Sequence, residues 1–265
     1  MSHNMKNLKN TLTFFLVFIA LQIMAGFVVN TAWPLVTGTT DITPARLMTA
    51  SGLASLLTIA VFVLAHWCGS AADLRRYLLS RPWLVLFWSA VAALGAVVPS
   101  TWLQEQMPEL PNWLENEFDM LLSERGGYFV LALLAPIAEE VVFRGAILRS
   151  LLKGSMRPWT AIALSALLFA LIHGNPAQMP HAFLCGLLLG WMFWRTGSIV
   201  PGVMFHWANN TVAFVLYRLY PDPSLKLADL FGGSQQKVYM AVGFSLLILV
   251  PALYQLHVWM KKADE

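Results

Sequence analysis

Long apolar runs separated by short polar breaks dominate the chain. A helix needs about 20 mostly apolar residues to cross a bilayer. Eight runs of this kind predict spanning helices near 12–29, 47–66, 82–99, 127–150, 158–173, 181–195, 198–217 and 238–259. Proline, glycine and small clusters of Lys and Arg fill the breaks, as is typical of loops. The pattern predicts an all-α, polytopic integral membrane protein of about eight transmembrane helices, forming a single transmembrane domain over residues 1–265.

Two features of the runs qualify this prediction. Lys6 and Lys9 precede the first run as in a signal peptide, but the run is too long and no small-residue cleavage site follows it. We therefore expect an uncleaved first spanning helix. The hairpins at 174–180 and 195–198 are tight, so one of the adjoining short runs could be re-entrant instead of spanning.

Composition excludes a soluble globular class. The chain is 58% hydrophobic and 12% charged, whereas soluble domains are about 25% charged. The net charge is only +3 and the basic residues form short clusters between apolar runs, which argues against nucleic acid as a partner. Cys68 and Cys185 are far apart and have no metal-type spacing, so we predict packing roles and no disulfide for them.

The distribution of Lys and Arg predicts the orientation, because cytoplasmic loops are enriched in both. With a cytoplasmic N-terminus, the inner basic residues are Lys6, Lys9, Arg75, Arg76, Arg81, Arg149, Lys153, Arg157, Arg195, Lys261 and Lys262. The outer ones are then Arg46, Arg125, Arg218, Lys226 and Lys237. We therefore predict a multi-pass protein of the cytoplasmic membrane with both termini in the cytoplasm. The acidic outer segment 100–126 is expected to include an amphipathic surface helix.

The fourth run contains two acids and a base. Each of Glu139, Glu140 and Arg144 costs about 2.5–3.5 kcal/mol at the centre of a spanning helix, so these side chains need partners or water. Glu140 and Arg144 are four residues apart and can pair, whereas Glu139 points about 100° away around the helix axis. Glu139 is therefore the freer acid and a candidate general base. The alternative is a static ion cluster.

Two further polar pairs have four-residue helical spacing. Phe169 and His173 share a face of the fifth run, and His206 and Asn210 share a face of the seventh. A lone histidine near the end of a span is often interfacial, and His206 with Asn210 could serve only to join helices. By helical rise, Glu139 and His206 lie near mid-membrane and His173 near the outer end of its run, which requires a tilted or kinked fifth helix.

In order, the motifs E-E-x-x-x-R, F-x-x-x-H and H-x-x-x-N resemble the type II CAAX prenyl endopeptidase and bacteriocin-processing family, also called lysostaphin-resistance-protein-A-like. The resemblance covers about residues 126–217, the expected catalytic core. It implies an eight-helix membrane fold around an intramembrane catalytic cavity, and an intramembrane endopeptidase that hydrolyses a membrane-embedded or apolar peptide. Glu139 and His173 would activate water, and His206 with Asn210 would stabilise the oxyanion. Glu140, Arg144 and Phe169 would support this site.

Other mechanisms and functions remain open at this point. Family members are often described as metalloproteases, and a zinc site with Glu139, His173 and His206 as ligands would leave Glu140 as the base. Pairing with Arg144 makes Glu140 a poor base and H-E-x-x-H is absent, so a glutamate-dependent hydrolase is favoured; no cofactor is assigned, and zinc stays possible. A transporter or proton relay, or a non-catalytic scaffold or immunity protein, are the alternatives. Among the other histidines, His181 is the first reserve, and His3, His66 and His257 are expected to be structural or interfacial.

Overall fold

The chain is helical throughout the part that a computed structural model describes, residues 3–69, 71–124, 126–222 and 225–261. Helix α6 is a continuous stretch at 129–152, built from π-helical segments at Phe129–Leu134 and Val141–Leu148 and α-helical segments at Ala135–Glu140 and Arg149–Leu152. The other helices are α1 His3–Thr37, α2 Pro44–Leu64, α3 Ala71–Leu79, α4 Trp83–Glu105, α5 Glu115–Ser123, α7 Pro158–Leu171, α8 Met179–Thr196, α9 Val200–Leu219, α10 Leu227–Leu230 and α11 Gln235–Trp259.

Each of the eight predicted runs coincides with a long helix, and the all-α prediction is confirmed. Within the described residues, four helices are long and apolar enough to cross a membrane: Met5–Thr37, Pro44–Leu64, Trp83–Glu105 and Gln235–Trp259. These apolar helices support a membrane protein, while the number of crossings stays a prediction. Helix α7 has only 14 residues, about 21 Å of rise against a hydrocarbon core of about 30 Å.

Helix α6 departs from the regular α-helix expected at 127–150. The amide of Ala135 donates to the carbonyl of Val130, five residues back. In this π pattern the amide of residue 136 would donate to the carbonyl of Leu131. That residue is Pro136, which has no N–H. Proline therefore leaves the carbonyl of Leu131 without a donor from its own helix.

The motif helices form the interior of the bundle. Every residue of Val141–Leu148 is buried, in a core where Phe143 lies against Phe18 of α1 and Phe169 of α7. The terminal helix α11 is more exposed and presents Phe244 and Leu247 at its surface. Apolar side chains on the outside and polar motifs inside are the arrangement expected of a chain whose solvent is lipid.

Segments predicted to be cytoplasmic meet at one end of the bundle. The Ser150 hydroxyl donates to the carbonyl of Asn7 at 3.2 Å, and Arg195 donates to the carbonyl of His257 at 3.0 Å. We call this the basic end, and it contains the segments 6–9, 68–81, 149–158, 195–198 and 257–261. Arg125 and Lys262, which enter the orientation prediction, lie outside the described residues.

Segments predicted to be external meet at the other end. Gln104 donates to the carbonyl of Ala177 at 2.6 Å, and the amide of Leu227 donates to Glu105 at 2.7 Å. We call this the acidic end, and the amphipathic helix α5 lies there. The grouping agrees with an alternating topology, while the side that faces the cytoplasm stays a prediction.

Cysteine accessibility labelling tests the orientation. In a variant without native cysteines, Glu109→Cys should react with a membrane-impermeant maleimide on intact cells, because position 109 is exposed at the acidic end. The matched Arg157→Cys at the basic end should react only after permeabilisation. The reverse pattern of labelling would invert the topology.

Candidate active site

The buried ion pair of α6 connects three helices. Arg144 Nη1 donates to Glu140 Oε1 at 2.7 Å, and both side chains are fully buried. Arg144 Nη2 donates to the carbonyl of Gly186 on α8 at 3.3 Å, and the guanidinium lies 4.4 Å from the ring centroid of Phe169 on α7. The i,i+4 contact expected from the sequence is present, and Phe169 contributes a cation–π contact to it.

A glycine on α9 makes room for the buried acid. A Cβ atom at Gly202 would lie 2.7 Å from Glu140 Oε2, an oxygen that has no hydrogen-bond partner among the described residues. Any larger residue at this position would push α9 away from the carboxylate. Glu140 is therefore held at the interface between α6 and α9. Its ion pair with Arg144 fixes the carboxylate, and Gly202 leaves room for it.

His206 lies between the two glutamates. Its Nδ1 is 3.4 Å from Glu140 Oε1, and its Nε2 is 3.5 Å from Glu139 Oε2. The ring is nearly buried and edge-on to Phe169, with centroids 5.7 Å apart. Because carboxylates only accept hydrogen bonds, the imidazole faces an acceptor at each nitrogen. Sequence spacing paired His206 with Asn210 and gave no sign of this contact between helices.

His173 lies just beyond the end of its helix. Helix α7 ends at Leu171, and the His173 side chain turns back so that Nδ1 contacts the Phe169 carbonyl at 2.9 Å. Since a carbonyl only accepts, Nδ1 is the donor in this contact, and in a neutral ring Nε2 then has the lone pair. The sequence placed His173 within the fifth spanning run, whereas the structure places it in the following turn. From that turn His173 lines the same cavity as Glu139 and His206.

Asn210 satisfies the carbonyl that Pro136 leaves without a donor. Its Nδ2 donates to the Leu131 carbonyl at 3.0 Å, and its Oδ1 accepts from Asn209 Nδ2 at 3.2 Å. The amide is thereby oriented through two of its groups, and the second N–H of Nδ2 is left for another acceptor. The same side chain also joins α9 to α6.

The four candidate catalytic residues line one cavity of about 370 Å³. It extends toward the acidic end, where Phe118 and Leu122 of α5 contribute to its wall. The polar and apolar residues at its base are Glu139, His173, His181, Cys185, Asn209, Asn210, His206, Phe169 and Leu131. Sequence reasoning missed Asn209, although its position three residues after His206 places it near the same helix face.

The remaining histidines and cysteines fall as follows. His181, the reserve candidate, lines the cavity and its Nε2 is 3.4 Å from Cys185 Sγ. His66 and His257 are not among the residues that line the cavity, and the side chain of His3 lies outside the described residues. Cys68 and Cys185 are both free thiols, as expected.

The zinc alternative fits this arrangement poorly. Within the described ranges, no three His, Cys, Asp or Glu side chains form a group with the geometry of a metal site. Glu139 and His206 are close to each other, and His173 lines the same cavity with Nδ1 turned to a backbone carbonyl. That orientation of His173 is compatible with a metal at Nε2, so the case against the zinc set rests on the lack of a three-ligand group among the described residues.

Comparison with known families gives one match. Residues 123–212 match the family model described as type II CAAX prenyl endopeptidase Rce1-like. This part of the chain is thus similar to the Rce1-like family, and we call it the Rce1-like domain. The match includes all three motifs, on α6, α7 and the first part of α9, and it confirms the family resemblance inferred from the motifs. No match was found among curated proteins or among solved structures. The Rce1-like domain supports CAAX-type protease activity in general.

Proposed function

We propose that this chain is an intramembrane endopeptidase whose Rce1-like domain hydrolyses a peptide bond of a membrane-embedded or apolar substrate. One observation carries the proposal: Glu139 on α6, His173 in the turn after α7 and His206 on α9 line the same cavity in an apolar bundle. Three costly polar side chains that converge on a cavity are better explained by chemistry than by packing.

The water-activating pair is Glu139 with His173. Water has two hydrogens to donate, and the site offers two acceptors, the Glu139 carboxylate and Nε2 of His173. A water held by both would present its oxygen lone pair to the substrate carbonyl. Glu139 takes a proton as the C–O bond forms and later delivers it to the leaving amine as the C–N bond breaks. Glutamate alone therefore suffices as acid and base.

We assign stabilisation of the oxyanion to His206 and Asn210. His206 lies between Glu140 and Glu139, and we assign the N–H on its Nε2 side, which faces the space beside Glu139, to the oxyanion. Asn210 contributes the N–H that Leu131 does not use. Donors fixed before reaction stabilise developing negative charge most effectively in a site shielded from water. Arg144 balances Glu140, which leaves Glu139 free to exchange protons.

Cleavage by the purified protein tests the proposal. In proteoliposomes it should hydrolyse a quenched fluorogenic peptide that carries an apolar membrane anchor faster than the same peptide without the anchor. Hydrolysis should persist after chelator treatment, and elemental analysis should find far less than one zinc per chain. Absence of cleavage of both peptides would contradict the protease proposal. Stoichiometric zinc whose removal abolishes cleavage would instead contradict the metal-free mechanism.

Asn210→Ala should lower kcat by about 10²–10³-fold with little change in KM, the range for losing one oxyanion donor. Steady-state kinetics on the anchored peptide measure it. Asn116→Ala is the matched control, because it removes the same side chain from an exposed position of α5 outside the cavity lining. Equal kcat values for the two variants would remove Asn210 from the catalytic set.

A further inference from the structure

A second cavity of about 490 Å³ opens at the basic end, away from the Rce1-like active site. Helix α3, the end of α6, the loop before α7 and the end of α8 form its walls. Among the described residues that line it, Arg76, Arg149 and Lys153 are basic and Asp73 is acidic. Basic side chains therefore outnumber acidic ones in the described part of the lining.

Two buried donors in this cavity have no acceptor. Tyr77 is only 3% exposed, yet its hydroxyl has no hydrogen-bond partner among the described residues, and the same holds for Nε of Arg149. Burial raises the pKa of Tyr77, so the hydroxyl keeps its proton and remains a donor. Buried donors without partners are rare, and two that line one cavity indicate an acceptor supplied by a ligand.

The acid in the cavity leaves Arg149 available. Its Nη1 is 3.6 Å from Asp73 Oδ2, longer than a charge-assisted hydrogen bond, and Asp73 is about half exposed. The guanidinium carbon lies 5.8 Å from the Phe193 ring centroid, which holds the planar group beside an aromatic wall. An arginine with an unused Nε–H and a loose ion pair can still bind an oxyanion in the two-pronged geometry that guanidinium favours.

Apolar side chains also line the cavity. They are Met156, Phe193 and Trp194, and Trp194 packs on the exposed Trp159 with centroids 6.2 Å apart. Paired tryptophans near the ends of helices are typical of the interface between lipid tails and headgroups. A ligand that satisfies both sets of side chains is amphiphilic, with an anionic group for the cations and hydrocarbon for the apolar residues.

We propose that this cavity binds a phosphate group, supplied by the headgroup of an anionic membrane phospholipid. Phosphate oxygens accept from Tyr77, from Nε of Arg149 and from the cationic side chains, while the acyl chains follow the apolar side chains into the bilayer. Basic cavities between helices at the membrane boundary are suited to such headgroups. Arg149 is ten residues from Glu139, about 15 Å along the helix, so binding here is separable from catalysis.

Lipid titration of the full chain tests the proposal. The protein is placed in phosphatidylcholine nanodiscs with increasing fractions of phosphatidylglycerol, and the thermal midpoint and the lipids retained in native mass spectrometry are recorded. We expect phosphatidylglycerol to raise the midpoint and to be retained. The double variant Arg76→Gln/Lys153→Gln should lose this response, and Tyr77→Phe should weaken phosphatidylglycerol binding about tenfold by removing one donor to a charged group.

Matched controls and a second ligand separate the outcomes. Arg75→Gln/Arg157→Gln removes the same charge from exposed positions at the same end that do not line the cavity, and its response should equal that of the unmodified protein. Inorganic phosphate in pure phosphatidylcholine nanodiscs tests a soluble source. A response to phosphate as strong as that to phosphatidylglycerol would overturn the lipid assignment. Equal responses of the two double variants, or no response to either ligand, would overturn the site.

Discussion

Replacing Glu139 with glutamine should lower kcat for peptide hydrolysis by about 10²–10⁴-fold, the contribution of a well-placed general base. Glutamine has nearly the same shape and can still contact His206, but it cannot take a proton from water. Helix α6 should fold as before, because Arg144 pairs with Glu140 and not with Glu139. Kinetics in proteoliposomes and a thermal melt of the same preparation measure the two effects separately.

The control for Glu139→Gln is Glu115→Gln, the same chemical change on the amphipathic helix α5 outside the cavity lining. It should leave hydrolysis unchanged. His173→Ala should behave like Glu139→Gln, because it removes the second acceptor for water. The protease proposal fails if Glu139→Gln, His173→Ala and Asn210→Ala all keep the unmodified activity, since a scaffold can lose these side chains and a hydrolase cannot.

Replacing Arg144 with alanine should destabilise the fold by about 3–5 kcal/mol, the effect of breaking a buried ion pair. Glu140 would remain fully buried without its cation, and the carbonyl of Gly186 and the ring of Phe169 would lose their contact with the guanidinium. Thermal unfolding of the purified protein and its abundance in membranes measure the loss. Activity should fall together with the amount of folded protein.

A double variant shows whether the loss comes from the stranded charge. Glu140→Gln/Arg144→Met removes both charges and keeps most of the volume, so it should recover much of the stability that Arg144→Ala loses. Arg75→Ala, at an exposed position, should cost little. Normal stability and abundance of Arg144→Ala would contradict a structural role for the pair.

Adjacent acids on one helix thus receive different roles from their neighbours. Glu140 is paired, fully buried and packed against Gly202, where even a methyl group would collide with it. Glu139 lines the cavity, and the ion-pair contact that it makes among the described residues is with His206. Because Arg144 pairs with Glu140, the proposed mechanism assigns proton transfer to Glu139.

The sequence by itself determined the features that depend on neighbours along the chain. The apolar runs located the long helices, because a run's length and hydropathy do not depend on what packs against it. Four-residue spacing predicted the contact between Glu140 and Arg144 for the same reason. The three motifs in order identified the Rce1-like family, whose model matches residues 123–212.

Only the tertiary structure decided the contacts between helices. His206 lies between Glu139 and Glu140, and His173 reaches the same cavity from a turn beyond its helix. The π-helical segments of α6 escaped the sequence reading, although Pro136 marks the place where an amide donor is missing. The angle and offset at which helices pack set these contacts, and spacing along one helix carries no information about either. The basic cavity depends on packing in the same way, because its cations come from two helices that are distant in the sequence.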